Sequence, residues 1–287
     1  MPSSDPFAPF APFAPFAPSD PSDPSDPVEI KTSLRLTDLD DGRFQTNRHR
    51  PNQPQLKRVL VVVPARNEAS TITRCLTSLM RARHTAGVDV DVVVVADSCA
   101  DETPDLARDM LGHCGTVVTG VFGSVGAARR AGTIQGLERS EVSLQQTWIA
   151  NTDADTFVPT NWFETQLAFA AGGWAAVAGI VALDRVDWSD HQVAQQYFAT
   201  YTTYNDGSHP HVHGANMAVR GDAYLNAGGW RPLVRSEDRD LWTRLQYAGH
   251  PTISTTQLVV TTSARRHGRV PGGFAECLQQ FEAAEAV

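Results

Sequence analysis

The carboxylates of Asn151-Thr152-Asp153-Ala154-Asp155 are the first residues whose spacing suggests chemistry. Neighbouring carboxylates repel and raise each other's pKa unless a cation joins them. Asp153 and Asp155 therefore point to a divalent metal with oxygen ligands, Mn2+ or Mg2+, whose shell is completed by substrate phosphates. An isolated Asp-x-Asp is more often a turn or a helix cap. Here it directly follows the strand-like run Thr147-Trp148-Ile149-Ala150, which favours a site. Two other polar clusters also follow apolar runs: Pro64-Ala65-Arg66-Asn67-Glu68 and Asp97-Ser98-Cys99-Ala100-Asp101. Farther on, Glu237, Asp238 and Asp240 precede Leu241 and Leu245 at helical spacing. Carboxylates there stabilise a helix N-terminus, and capping is compatible with proton transfer by one of them.

The elements that must position these groups are legible as alternating strands and helices. Val59 to Val63 is a β-branched run ended by Pro64, and Val90 to Ala96 is a second, ended by Asp97. Between them Ile72, Leu76, Leu79 and Met80 fall at helical spacing. Weaker strands are expected at 116–118 and 147–150, with a helix from about Val125 to Leu137 between them. Continuous apolar runs separated by single helices are the pattern of buried parallel strands. The order predicts an α/β, doubly wound sheet whose ligand sits beyond the strand C-termini. The uncharged stretch Thr165–Leu183 contains Gly172-Gly173 and is Ala-rich. A membrane span needs about 20 strongly apolar residues, so a helix end, a Gly turn and a buried strand are expected there instead.

The remaining polar features are less specific. Residues 191–204, with Tyr197, Phe198, Tyr201 and Tyr204, read as an amphipathic helix, with core packing favoured over sugar stacking. His209, His211 and His213 alternate, which on a strand would suit a metal; a loop over an acceptor is the favoured reading. After a strand expected at 258–261 comes Thr262-Ser263-Ala264-Arg265-Arg266-His267-Gly268-Arg269. Arg265 and Arg266 can close over a diphosphate, with Gly272-Gly273 as hinge; a solvated basic loop is the competing reading.

Five segments, VVVPARNEASTITRCLTSL, VVVVADSCADET, GSVGAARRAG, NTDADT and SEDRDLWTRL, stand in the order seen in glycosyltransferase family 2. The chain resembles that family over about residues 57–250. The resemblance implies the GT-A fold, a doubly wound, mixed but mostly parallel sheet flanked by helices. It also implies a sugar transferred from a nucleotide-sugar donor, UDP- or GDP-linked, to an acceptor hydroxyl. The transfer would need a metal and proceed with inversion. By the same resemblance Pro64, Ala65, Arg66 and Glu68 form the nucleotide loop, and Asp97 faces the base. Gly126 and Arg129 belong to a helix covering the nucleotide, Asp153 lies at the ribose, and Asp155 ligates the metal, joined by His267. Asp238 is the general base, and Asn216 and Glu237 border the acceptor. Arg66 stands where the family often has Tyr, and Arg130 where Asn is common. The chemistry agrees: a polyanionic leaving group needs a cation, and an incoming hydroxyl needs a carboxylate to take its proton.

Composition narrows the alternatives. The 287 residues are 41% hydrophobic and 20% charged, a soluble globular balance. A net charge of −8 argues against a nucleic-acid binder, and half of it comes from Asp5, Asp20, Asp23 and Asp26. Those residues sit in a low-complexity segment where Phe-Ala-Pro recurs from Phe7 and Ser-Asp-Pro from Ser19. Proline at every third position blocks helix and sheet, so residues 1–54 are expected to be a disordered tail and linker, with partner docking as the sharper alternative. Residues 55–287 are expected to form the GT-A domain. Cys75, Cys99, Cys114 and Cys277 are scattered and fit no zinc pattern, which suggests a reducing, cytoplasmic setting. No signal peptide or transmembrane segment is expected; peripheral membrane contact with a lipid acceptor is compatible, as are small-molecule and glycan acceptors. Gly120, Gly123 and Gly126 do not match the dinucleotide fingerprint, which disfavours a dehydrogenase. A sugar-phosphate nucleotidyltransferase would open with a Gly-rich basic loop where Pro64 to Glu68 stand. A non-catalytic nucleotide-sugar or partner-binding module is the other alternative, disfavoured by Asp153, Asp155 and Asp238.

Overall fold

The computed structural model describes residues 55–184 and 201–263. The chain runs β1 (Arg58–Ala65), α1 (Ile72–Arg83), β2 (Asp89–Asp97), α2 (Thr103–Leu111), β3 (Gly115–Gly120), α3 (Val125–Glu138) and β4 (Thr147–Asn151). It continues through β5 (Thr156–Phe157), α4 (Trp162–Ala171), β6 (Ala176–Leu183), β7 (Met217–Arg220), α5 (Gly221–Asn226), α6 (Glu237–Tyr247) and β8 (Thr252–Thr262). The strands form one sheet in the order β3-β2-β1-β4-β7-β6-β8-β5. The first four in that order are mutually parallel. β7 is antiparallel to both β4 and β6, β6 and β8 are parallel, and β5 closes the edge antiparallel to β8. The sheet is the mixed, mostly parallel α/β arrangement expected.

The continuous apolar runs follow from burial on both faces. Val59, Val61 and Val63 pack on one side with Ile72, Leu76 and Leu79 of α1 and Trp162 and Phe163 of α4. Leu60 and Val62 point the other way, toward Ala128 of α3, Trp230 and Leu241. Side chains alternate with period two, so a strand covered on both faces must be apolar at every position. α3 carries almost no large apolar residue on its sheet face. A Cβ at Gly136 would lie 2.3 Å from Leu60, and one at Gly132 2.7 Å from Val62 and Val95, so the helix lies against the strands through its glycines.

Several expectations change in detail. β1 does not stop at Pro64 but continues to Ala65, paired with β2 throughout. The Val62 carbonyl accepts from Thr152 N, so Val62 and Pro64 present their backbone groups toward β4. Pairing with β4 ends at Asn151 opposite Val62, so the missing amide of Pro64 interrupts no ladder bond. Stretch 165–183 is the end of α4, a turn with Gly173 at φ 95°, and β6. The helix expected over 191–204 lies partly outside the described residues, and Tyr201 and Tyr204 stand in an irregular segment instead. Among the described residues no helix is long and apolar enough to cross a membrane. The tail and linker, and Cys277, lie outside the described residues.

Candidate active site

Because β1, β2 and β4 are parallel and in register, their polar C-terminal loops emerge on one sheet edge. Short bonds lace the first two loops together. Asn67 Oδ1 accepts from Ala100 N at 2.8 Å, Glu68 N donates to Thr103 Oγ1 at 2.7 Å, and Ala69 N donates to Asp101 Oδ2 at 3.1 Å. Asp97, 7% exposed, takes the loop after β3 in hand: its Oδ1 accepts from Phe122 N at 2.8 Å and Ser98 Oγ at 3.0 Å. Asn67, Ser98 and Ser236 adopt left-handed backbone (φ 54°, 54° and 58°). Such positions cost energy in residues other than glycine and cluster where a loop must aim a ligand-binding surface. All three border this edge, and composition alone did not mark them. Within the first loop Pro64 and Ala65 complete β1 and Arg66 is exposed. Glu68 turns inward, 5% exposed, its carboxylate accepting from Thr71 Oγ1 at the start of α1.

Asp153 and Asp155 stand where β4 ends, both half-buried. Asp153 Oδ1 receives Arg129 Nη2 at 2.6 Å. Asp155 Oδ1 accepts from Thr262 Oγ1 at 3.3 Å, and its carbonyl accepts from Ser263 N at 3.0 Å. The end of β8 therefore lies against Asp155. Arg265, Arg266 and His267 follow within a few residues and lie outside the described residues. Among the described residues no group of three or more His, Cys, Asp or Glu side chains is arranged to hold a metal. Two half-buried carboxylates one residue apart nevertheless fit Mg2+ or Mn2+, which commonly takes one or two carboxylates and fills its shell with phosphate and water.

Beneath the carboxylates lies a buried ion cluster. Arg129 is 2% exposed and contacts both Asp153 and the Oε1 of Glu237, itself 5% exposed. Burial works against the guanidinium charge, but the carboxylates of Asp153, Glu237 and Asp238 outweigh it and hold Arg129 above the ordinary arginine value. Burial pushes Glu237 up, with Arg129 opposing. Asp238, half-buried in the first turn of α6, receives Gly214 N at 2.8 Å on Oδ2 and Arg239 N at 2.7 Å on Oδ1. Its carboxylate is thereby oriented by backbone from two segments.

Four of the expected site residues meet protein partners in this geometry. Arg129 faces inward between the carboxylates of Asp153 and Glu237. Gly126 abuts the 231–233 loop, where a Cβ would lie 2.1 Å from Arg231 O. Glu237 is held by Arg129. Asn216 has no exposed surface; its amide donates to Ile180 O and Leu258 O, and its Oδ1 accepts from Trp162 Nε1. It fastens β6, β8 and α4 behind the site. Arg129, Glu237 and Asn216 are polar residues whose direction depends on a partner distant in sequence.

The histidines form a stacked series in an irregular loop. Ring centroids of His209 and His211 are 6.0 Å apart, and those of His211 and His213 are 6.1 Å apart at 7° between planes. Thr202 N donates to His211 Nε2 at 3.0 Å. Tyr201, whose hydroxyl accepts from Val181 N, lies 2.5 Å from His213 Nε2. The hydroxyl and that nitrogen share one proton, and which of the two donates is set by the imidazole tautomer. Burial, then the neighbouring imidazoles and Arg239, pushes His213 down to about 3, and burial with His209 and Arg239 pushes His211 down to about 4. Parallel rings stacked in this way do not converge on a common ion.

A family model described as Glycosyltransferase like family 2 matches residues 54–280. No curated protein sequence matches the chain significantly. Among solved structures, S. aureus TarS 1–349 in complex with UDP-GlcNAc is similar with a TM-score of 0.56 and 15% identity, over 79% of this chain and 66% of that one. The mannosyltransferase PcManGT from Pyrobaculum calidifontis, in complex with GDP-Man and Mn2+, is similar with a TM-score of 0.54 and 19% identity, over 80% and 70%. The chain spans less than two thirds of the S. aureus fragment, and 36% of a longer TarS chain. Identities this low establish a shared fold and nothing further.

Proposed function

Because this chain belongs to glycosyltransferase family 2, we propose that it moves a hexose from a UDP- or GDP-linked donor to an acceptor hydroxyl, with a divalent metal and inversion at the anomeric carbon. One observation carries the reading. Asp153 at the end of β4 and Glu237-Asp238 at the start of α6 meet around a single guanidinium, which brings donor-side carboxylates and a candidate base to one edge. The similar S. aureus TarS fragment is in complex with UDP-GlcNAc, and the P. calidifontis mannosyltransferase with GDP-Man and Mn2+.

In this reading Asp97 and the loop Pro64 to Glu68 border the nucleotide, with Arg66 reaching toward phosphate. Asp155, with Asp153 beside it, would hold Mn2+ or Mg2+, and His267 would join from the segment after β8. When bound, the cation supplies neutralisation of the charge that develops on the departing nucleoside diphosphate. Arg265 and Arg266 close over the same phosphates. Asp238 accepts the acceptor proton as the acceptor oxygen bonds to the anomeric carbon. The bond from that carbon to the diphosphate breaks on the opposite face, and its electron pair leaves with the diphosphate. The stacked histidines and Tyr201 lie beside Gly214 and form a wall on the acceptor side, for a small molecule, a glycan or a lipid headgroup. Residues 55–287 form the catalytic unit of a cytoplasmic enzyme, and residues 1–54 are separable from it.

The test is a donor screen by mass spectrometry that counts hydrolysis and transfer, run with Mn2+, with Mg2+ and with EDTA. Turnover of one nucleotide sugar that EDTA abolishes and Mn2+ or Mg2+ restores supports the reading. Full turnover in EDTA overturns the metal role, and formation of a nucleotide sugar from sugar phosphate and nucleoside triphosphate overturns transfer.

A further inference from the structure

Transfer as proposed needs groups from two halves of the sheet held to one spacing: the carboxylates ending β4 and Asp238 on α6. We infer that Arg129 is the positioning residue that sets this spacing, an inference that rests on the functional reading above. Arg129 is reached from Asp153, 24 residues away in sequence, and from Glu237, 108 residues away. Its planar guanidinium can meet two carboxylates at fixed angles, which a lysine ammonium cannot do in the same way. Glu237 is the immediate neighbour of Asp238 in the first turn of α6, so a hold on one constrains the other.

The third contact closes the arrangement. Asp238 receives Gly214 N, and Gly214 itself lies against the guanidinium: a Cβ there would be 2.3 Å from Arg129 Nη1. One buried cation thus touches the end of β4, the start of α6 and the backbone that aims the Asp238 carboxylate. The face of Trp230 lies 5.3 Å from the guanidinium carbon and backs it. Burying a charge is costly, and apolar residues of similar volume often hold a core equally well. Arg129 Nε makes no hydrogen bond among the described residues. The group is oriented for its two carboxylates at the expense of its own satisfaction, which is the arrangement of a spacer rather than of a filler.

The experiment compares R129K, R129M, E237Q and R129M/E237Q in the full chain by thermal melting, calorimetric donor binding, and kcat and KM for the acceptor. Amide exchange at Gly214 and Arg239, the two donors to Asp238, is measured on the same proteins. R129K keeps a buried cation; it should fold, keep donor affinity within about threefold, and lose kcat by about 10- to 100-fold, the scale of a misplacement of about 1 Å. R129M/E237Q removes the charge mismatch and should regain melting temperature without regaining kcat, while Gly214 and Arg239 exchange faster than in the wild type. Wild-type kcat in R129K or in the double variant overturns positioning, as does a kcat loss that merely tracks melting temperature. A wild-type chain that turns over no nucleotide sugar overturns the functional reading instead. Unchanged exchange at Gly214 and Arg239 in R129K overturns positioning whatever the activity.

Discussion

The two halves of the site edge are built differently. On the proposed donor side, β1, β2 and β3 are parallel, and the loops after β1 and β2 are tied to each other by short bonds between residues about 30 apart, such as Asn67 with Ala100 and Glu68 with Thr103. On the proposed acceptor side, β7 runs antiparallel and the segment 201–213 is irregular. Asp238 there is aimed by Gly214, and the histidines are held in place by Tyr201 and Thr202. The donor side is a repeated strand-loop-helix unit whose geometry follows from the sheet. The proposed acceptor side is assembled from single contacts between residues 9 to 24 apart, each of which can be removed by one substitution.

The sharpest way to separate the halves is Asp238→Asn. It preserves size but cannot take a proton, and loss of a general base costs about 10²- to 10⁴-fold. Turnover should fall by that amount while donor binding by calorimetry stays near wild type. Equal loss of binding and turnover would make Asp238 a helix-terminal charge that serves structure alone.

Asp155→Ala acts on the other half. Donor affinity should lose its dependence on Mn2+, with turnover falling by about 10²-fold as the leaving diphosphate loses its cation. Metal-dependent binding that survives in the variant would move the ligand role to Asp153 or to the segment beyond Ser263.

Acid should loosen the acceptor side first. His213 and His211 are held at about 3 and about 4, below the ordinary 6.5. The unfolded chain takes up these protons as pH falls below 6.5 and the folded chain does not. Their contribution is therefore fully present above 6.5, declines as pH falls toward the folded values, and declines no further below them. By pH 5.5 the deficit from His213 is about 1 kcal/mol, and less from the more exposed His211. Melting between pH 7.5 and 5.0 should show the decline, and His213→Gln should flatten it. Equal slopes for the two proteins would remove the histidines from the account.

The smallest effect is expected from deleting residues 2–50. Donor hydrolysis should stay within about threefold, under roughly 1 kcal/mol in the barrier. A hundredfold loss would mean that the Phe-Ala-Pro segment completes the site.

Much of the proposed donor half is legible in the sequence. A strand buried on both faces must be apolar throughout, so Val59 to Val63 and Val90 to Ala96 announce themselves, and polar clusters directly after them must sit at the edge where parallel strands end. Those rules are local, and they also place Asp153 and Asp155. α3 was legible as a helix from about Val125, but its cap by Ser124, whose hydroxyl accepts from Ala127 N, and its packing through Gly132 and Gly136 were not. The direction of a polar side chain obeys no such rule. Arg129, Glu237 and Asn216 each stand in a motif that suggests a ligand, and each turns to a partner supplied by a distant element. Nor does a pattern of residue types reveal that β7 would enter between β4 and β6 in reverse, since a four-residue strand carries too little periodicity to state its direction. Chain-local physics settles which residues reach the edge; which of them face a substrate and which face each other is settled by the charges and backbone groups that packing brings within hydrogen-bond distance.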